Sequence, residues 1–292
     1  MKTWHAEVLS ETKLLLGEGA YWHNEWGKFL FIDIKGKRVG AIDPTTKEIN
    51  IRELNSIPGM VGHIGGTKLF IATQGKIEEM DFETGERQLL VEMEPEKPEN
   101  RCNDGACDGM GRLWIGTMNV NAQAHEGALY CFDGSLKKAI DETSVSNGIC
   151  WTKDHQTMYH TDSFEYNIKV YDFDLQNGHI SNGRIAVEFT KGTGIMPDGM
   201  CIDEDGMLWV AIWGGGCVNR YNPLSGELTG KVTVAAPHVT SCAFGGSGLK
   251  QLLITTAIDG LTKDQLKQFP YSGSLFTVNL DVSGLLPNNL KK

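Results

Sequence analysis

Arg101-Cys102-Asn103-Asp104-Gly105 with Leu113-Trp114-Ile115-Gly116, and Pro197-Asp198-Gly199 with Leu208-Trp209-Val210-Ala211, are two copies of one pattern. In both, the tryptophan stands eleven residues past the amide or carboxylate, Asn103 in one and Asp198 in the other. Working outward, Gly17-Glu18-Gly19 and Ser146-Asn147-Gly148 open two further copies, with Trp22 and Trp151 each four residues on. Gly59 and Thr240 mark two more. The six anchors Glu18, Gly59, Asn103, Asn147, Asp198 and Thr240 are spaced 41, 44, 44, 51 and 42 residues apart. A period of about 40–50 residues with several short strands per copy is the mark of a β-propeller blade.

Inside each copy the order is a glycine-rich turn, an apolar stretch, a polar turn and a strongly apolar strand. Phe29-Leu30-Phe31-Ile32-Asp33, Leu69-Phe70-Ile71-Ala72 and Leu252-Leu253-Ile254-Thr255 are examples of that strand. Third strands follow, such as Arg38-Val39-Gly40-Ala41-Ile42-Asp43 and Ile168-Lys169-Val170-Tyr171-Asp172. Thirty-five glycines and scant helical periodicity fit an all-β chain, with residues 262–268 the one stretch that reads as a helical turn. The expected fold is an all-β, six-bladed β-propeller forming a single domain over residues 1–292. Its last blade lacks an outer strand after residues 273–280, and residues 5–9 are expected to supply it, closing the ring and protecting its edges. The tryptophans are expected to pack between neighbouring blades.

Twenty-seven basic residues against 37 acidic ones, scattered rather than blocked, argue against a nucleic-acid partner. The N-terminus carries no apolar core of a secretory signal, and no run approaches the ~20 apolar residues of a membrane helix. Seven cysteines without a CxxC pair read as buried, reduced thiols, so a cytoplasmic protein is expected. Cys102 and Cys107 are spaced like half of a metal or redox site, but no second pair completes it.

Equivalent positions of a closed ring meet at its axis. Glu18, Asn103, Asn147 and Asp198 are therefore expected to bring their oxygens together, at the turns leading into the innermost strands. Adjacent glycines would let the backbone approach the axis there. Asp-Gly and Asn-Gly taken singly are common turn pairs. Glu is not a turn residue, however, and the coincidence of all four favours a site. Carboxylate and amide oxygens without His or Cys suit Ca²⁺, Mg²⁺ or Mn²⁺ better than a dedicated zinc site. Asp104, Asp203 and Asp205 are given turn or surface roles. Arg101, two residues before Asn103, is placed to hold an anionic or hydroxyl-rich ligand at the channel mouth. Other hydrolytic and nucleotide-binding motifs are missing: Gly245-Gly246-Ser247-Gly248-Leu249 lacks the final glycine of a nucleophile elbow, and there is no HExxH, P-loop or dinucleotide fingerprint.

With those residues in hand, the sequence resembles the family of regucalcin, gluconolactonases and luciferin-regenerating enzyme. The resemblance runs from Leu16-Gly17-Glu18-Gly19 to Pro270-Tyr271-Ser272-Gly273, and Thr240-Ser241-Cys242-Ala243-Phe244-Gly245-Gly246 carries it into the sixth copy. It implies a six-bladed propeller with one divalent metal ion held by Glu18, Asn147 and Asp198. It further implies substrate contacts from Arg101 and Asn103, the substrate being a small-molecule sugar lactone in several members. Animal relatives carry an acidic residue three places past Met118 that helps bind sugar hydroxyls; here that place is Asn121. The expected activity is a metal-dependent lactonase, a gluconolactonase-like carboxylic ester hydrolase. The ion, calcium before zinc, magnesium or manganese, would polarise the carbonyl, and Asp198 would act as general base. Two alternatives stand beside it: a non-enzymatic calcium-binding regulatory protein, and a hydrolase of other esters or organophosphates.

Overall fold

The structure is a computed structural model, describing residues 1–291. Among them are 25 strands, one α-helix and two short 3-10 turns. The strands form six sheets, antiparallel but for one added strand, whose innermost members are Gly17–His23, Pro58–Gly65, Asn100–Cys107, Ser146–Trp151, Met196–Ile202 and Val239–Gly245. Each innermost strand packs against the next, and the sixth packs against the first. The sheets therefore stand as blades around a channel, and the six-bladed propeller expected from the repeat is the architecture found.

The second strand of each blade has a neighbouring blade on both faces, so it reads as an unbroken apolar run rather than an alternating one. Leu113–Asn119 is buried along its whole length, and Lys28–Asp33 is buried from Phe29 onward. Trp114 and Trp209 are fully buried on such strands. Trp114 meets Trp151 and Phe173 of the next blade edge-on, with ring centroids 6.1 and 5.6 Å away. Trp209 meets Phe244 of its own next blade at 5.5 Å. Each contact of this kind adds about 0.5–1.5 kcal/mol to the area term. Each indole also donates a hydrogen bond to a buried carboxylate at the end of its own blade's innermost strand, Asp108 at 3.0 Å and Asp203 at 2.9 Å. Asp203 also pairs with Arg220 at 2.7 Å and caps its turn, while Asp205 stays exposed.

Closure uses more of the N-terminus than the repeat implies. Glu7–Ser10 pairs antiparallel with Leu275–Asn279 as the outer strand of the sixth blade, as expected. Lys2–His5 continues onto the fifth blade, where it lies parallel to Glu227–Thr233 as a fifth strand. Trp4 anchors it: the indole lies 5.3 Å from Trp209 and covers Gly230, where a Cβ would come within 2.7 Å of the ring. The helical stretch is a six-residue helix, Lys263–Gln268, opened by a capping box between Thr262 and Gln265.

Past the last strand, residues 281–291 run across the hairpin end of the channel. Backbone bonds tie them to Ile202 and Leu249 on one side and to His63 and Gly111 on the other. Tyr21 donates its hydroxyl to Asn289 Oδ1 at 2.9 Å, and Asn288 reaches the Cys107 carbonyl at 3.1 Å. Behind this strap lies a cavity of about 280 Å³ with mainly apolar walls, including Trp22, Met60, Trp151 and Met200, and with Asp104 on its lining.

Candidate metal and substrate site in the channel

In every blade the innermost strand slips register against its neighbour near its start, and the second blade's slips again between His63 and Gly65. The slips fall between Glu18 and Tyr21, Pro58 and Met60, Cys102 and Gly105, Ser146 and Ile149, Pro197 and Met200, and Val239 and Ser241. A bulge leaves its extra residues outside the ladder and re-aims their side chains. Asn103, Asn147 and Asp198 are such residues, and Glu18 immediately precedes its own bulge. The sequence reading placed them at the turns entering the strands; they lie within the strands instead, a few residues past the start. The bulge does the re-aiming that a turn was expected to do.

Glycine is required beside two of these bulges. A Cβ on Gly148 would come within 2.6 Å of the Met200 nitrogen and 2.8 Å of the Asp198 carbonyl. On Gly59 it would stand 2.2 Å from the Cys102 carbonyl and 2.8 Å from the Asn103 nitrogen. The close approach is therefore between neighbouring innermost strands.

All four site residues are buried, between 5% and 8% exposed. Among the buried side-chain atoms without a hydrogen-bond partner are Asn147 Oδ1 and Asp198 Oδ1. Burial, then the Asp198 charge, then Asp104, push the Glu18 carboxyl well above its ordinary range, against the Gly19 N–H and Arg101. Burial, then Asp104, push Asp198 well up, against the Asn147 side chain, the Gly199 N–H and Arg101. Burial also lowers the Arg101 guanidinium to about 10, with Glu18, Cys102 and Asp198 holding it up.

Asp104, which the sequence reading assigned to a turn or the surface, is half-buried on the lining of the cavity behind the strap, close enough for its charge to raise Glu18 and Asp198. Burial raises its carboxyl to about 6, and its one hydrogen bond is from the Gly105 N–H at 2.7 Å. The signal missed was its place in the bulge beside Asn103. Were all three carboxylates ionised, the one guanidinium would leave two negative charges uncompensated, and burial holds each carboxyl above its ordinary range. Orphaned oxygens and that charge excess fit a divalent cation. Among the described residues no three His, Cys, Asp or Glu side chains are grouped to hold an ion, so a cation here would need the Asn147 amide oxygen as well.

Asn103 is already engaged: its Oδ1 accepts from Arg101 at 2.7 Å and its Nδ2 donates to the Ser146 carbonyl at 2.8 Å. It keeps one lone pair and one N–H, and it fixes the guanidinium, whose other nitrogens stay free to donate. Asn121 lies on an exposed turn at the same end of the channel, because Arg101 and Asn100 pair with Met118 and Asn119. Its backbone N–H is held by Asn119 Oδ1 at 2.9 Å. All seven cysteines are unpaired; Cys102 and Cys107 are buried on one strand, and Cys201 and Cys242 bring their sulfurs to 3.7 Å on neighbouring blades.

The sequence matches the family described as SMP-30/Gluconolactonase/LRE-like region over residues 16–258. The chain belongs to that family. Regucalcin of Xenopus laevis is 34% identical over 96% of each chain, and YvrE of Bacillus subtilis, named as a candidate sugar lactone lactonase, 32% identical over 97% of each. Among solved structures, a calcium-binding protein, regucalcin, from Agrobacterium tumefaciens superposes with a TM-score of 0.94 at 28% identity, covering 99% of both chains. Within the family, names thus divide between calcium binding and lactone hydrolysis. Among the described residues no helix is long and apolar enough to cross a membrane.

Proposed function

We propose that the protein is a divalent-metal-dependent hydrolase of sugar lactones. The observation that carries this reading is the pair of orphaned oxygens, Asn147 Oδ1 and Asp198 Oδ1, buried beside the half-buried Arg101 guanidinium. Glu18, Asn147 and Asp198 would hold the ion, and calcium suits an all-oxygen set. Such an ion supplies a Lewis acid for the lactone carbonyl and for the negative oxygen of the tetrahedral state. Arg101 donates to the hydroxyls and carbonyl side of the substrate, with Asn103 steadying it and Asn121 adding an amide at the mouth. Asp198 takes the proton of the attacking water and returns it to the ring oxygen as the C–O bond breaks.

A pure calcium binder, favoured by the name of the Agrobacterium relative, has no use for a guanidinium held beside the carboxylates. The test is hydrolysis of D-glucono-1,5-lactone by chelator-stripped protein, before and after adding Ca²⁺, Zn²⁺, Mg²⁺ or Mn²⁺ in turn. Turnover restored by an ion, abolished by Asp198→Ala and weakened mainly in KM by Arg101→Ala, is expected. Tight ion binding with no turnover on lactones would hand the site to the binding role. Turnover confined to aryl esters or phosphotriesters would keep the hydrolase and change its substrate.

A further inference from the structure

We infer that Ser163 is a positioning residue that locks the Asn147 side-chain amide with its oxygen toward the cation; the inference rests on the metal reading above. Ser163 is buried and opens the 3-10 turn Ser163–Glu165. The turn is fixed by Asp162, which accepts from the backbone N–H groups of Ser144, Val145 and Phe164 at 2.8, 3.0 and 3.3 Å. From there Ser163 Oγ reaches two groups at once. It lies 2.7 Å from the Pro197 carbonyl oxygen and 3.1 Å from Asn147 Nδ2.

Hydrogen-bond capacity decides the direction of this chain. A carbonyl oxygen only accepts, so the single Ser163 O–H must donate to Pro197. The hydroxyl oxygen is then left to accept, and the part of Asn147 that faces it must be the donating NH₂. Asn147 Oδ1 is thereby turned the other way, where it stands buried and without a partner. An asparagine amide has nearly the same shape either way round, so packing alone does not choose its orientation. Ser163 chooses it from behind, in the same sense as the Asp198 carboxylate, which also takes a bond from the Asn147 side chain. Because its other partner is the residue before Asp198, one hydroxyl ties together the segments carrying two of the three proposed ligands, on the fourth and fifth blades.

Groups that orient a ligand from behind are worth about 10–100-fold in metal affinity. Calcium titration calorimetry on chelator-stripped protein reads the effect directly, with no substrate involved. Ser163→Ala is expected to raise the Ca²⁺ Kd about tenfold or more. Ser163→Cys, which keeps the shape and weakens the donor, should fall between, and guards against a folding defect in the alanine variant. The discriminating comparison is Asn147→Asp, whose two carboxylate oxygens make orientation irrelevant. In that background Ser163→Ala should cost less than about threefold. A Ser163→Ala protein that binds Ca²⁺ like the parent, or an equal loss in both backgrounds, would overturn the inference and leave the metal site standing. No divalent-cation binding by the parent protein would overturn both.

Discussion

Asp104→Asn is expected to stabilise the metal-free protein, and to do so more strongly as pH rises. Burial lifts the Asp104 carboxyl from 3.8 to about 6. A carboxyl raised on folding favours the native state fully below its unfolded value near 3.8, and that contribution is lost as pH climbs through about 6. Above about pH 7 the native chain thus carries a desolvated charge that the unfolded chain carries at no cost. About two pKa units at 1.36 kcal/mol each set the penalty near 3 kcal/mol at pH 8, and roughly half of that at pH 5. Asparagine of the same shape keeps the bond from the Gly105 N–H and carries no charge, so it escapes the penalty. Urea unfolding in chelating buffer at both pH values measures the difference. A gain that is flat with pH, or a variant less stable than the parent at pH 8, would refute the reasoning.

The same signs govern calcium. Glu18 and Asp198 are both raised, so protons compete with the ion, and the Ca²⁺-induced rise in Tm should grow from pH 5.5 to 8; at an ion concentration of 100 Kd it is worth about 2.7 kcal/mol. An equal thermal shift at both pH values would count against it. Gly148→Ala should cost about 1–3 kcal/mol and weaken Ca²⁺ binding, because its methyl would press on the Asp198 carbonyl; urea midpoints and calorimetry read the two effects. Trp4→Ala should cost about 2 kcal/mol in urea unfolding by freeing the fifth strand of its blade, and a loss below about 0.5 kcal/mol would show that strand to be passive.

The propeller was legible because each blade repeats one spacing, and every anchor taken from the sequence falls in or beside a bulge of the corresponding strand. Periodicity reports which residues are equivalent, so it reached Glu18, Asn103, Asn147 and Asp198 together. It is blind to what occurs once. Asp104 looked like half of an Asp-Gly turn because a bulge and a turn use the same residues for the same backbone freedom. Ser163 had no counterpart to draw attention to it, and its two bonds come from segments 16 and 34 residues away. The parallel strand Lys2–His5 was hidden for a similar reason, since Gly230 is a meaningful partner for Trp4 only after the ring has closed.

That closure sets an order of events during synthesis. Residues 2–10 leave the ribosome before the strands at 227–233 and 275–279 that receive them are made. Until then their edges are open, and the first and sixth blades have no shared face. The ring therefore stays an open arc until the sixth blade is made, and only then do the first and sixth blades bring Glu18 round to Asp198. A cation supplied before then would meet the proposed ligands Glu18, Asn147 and Asp198 on an arc that is still open.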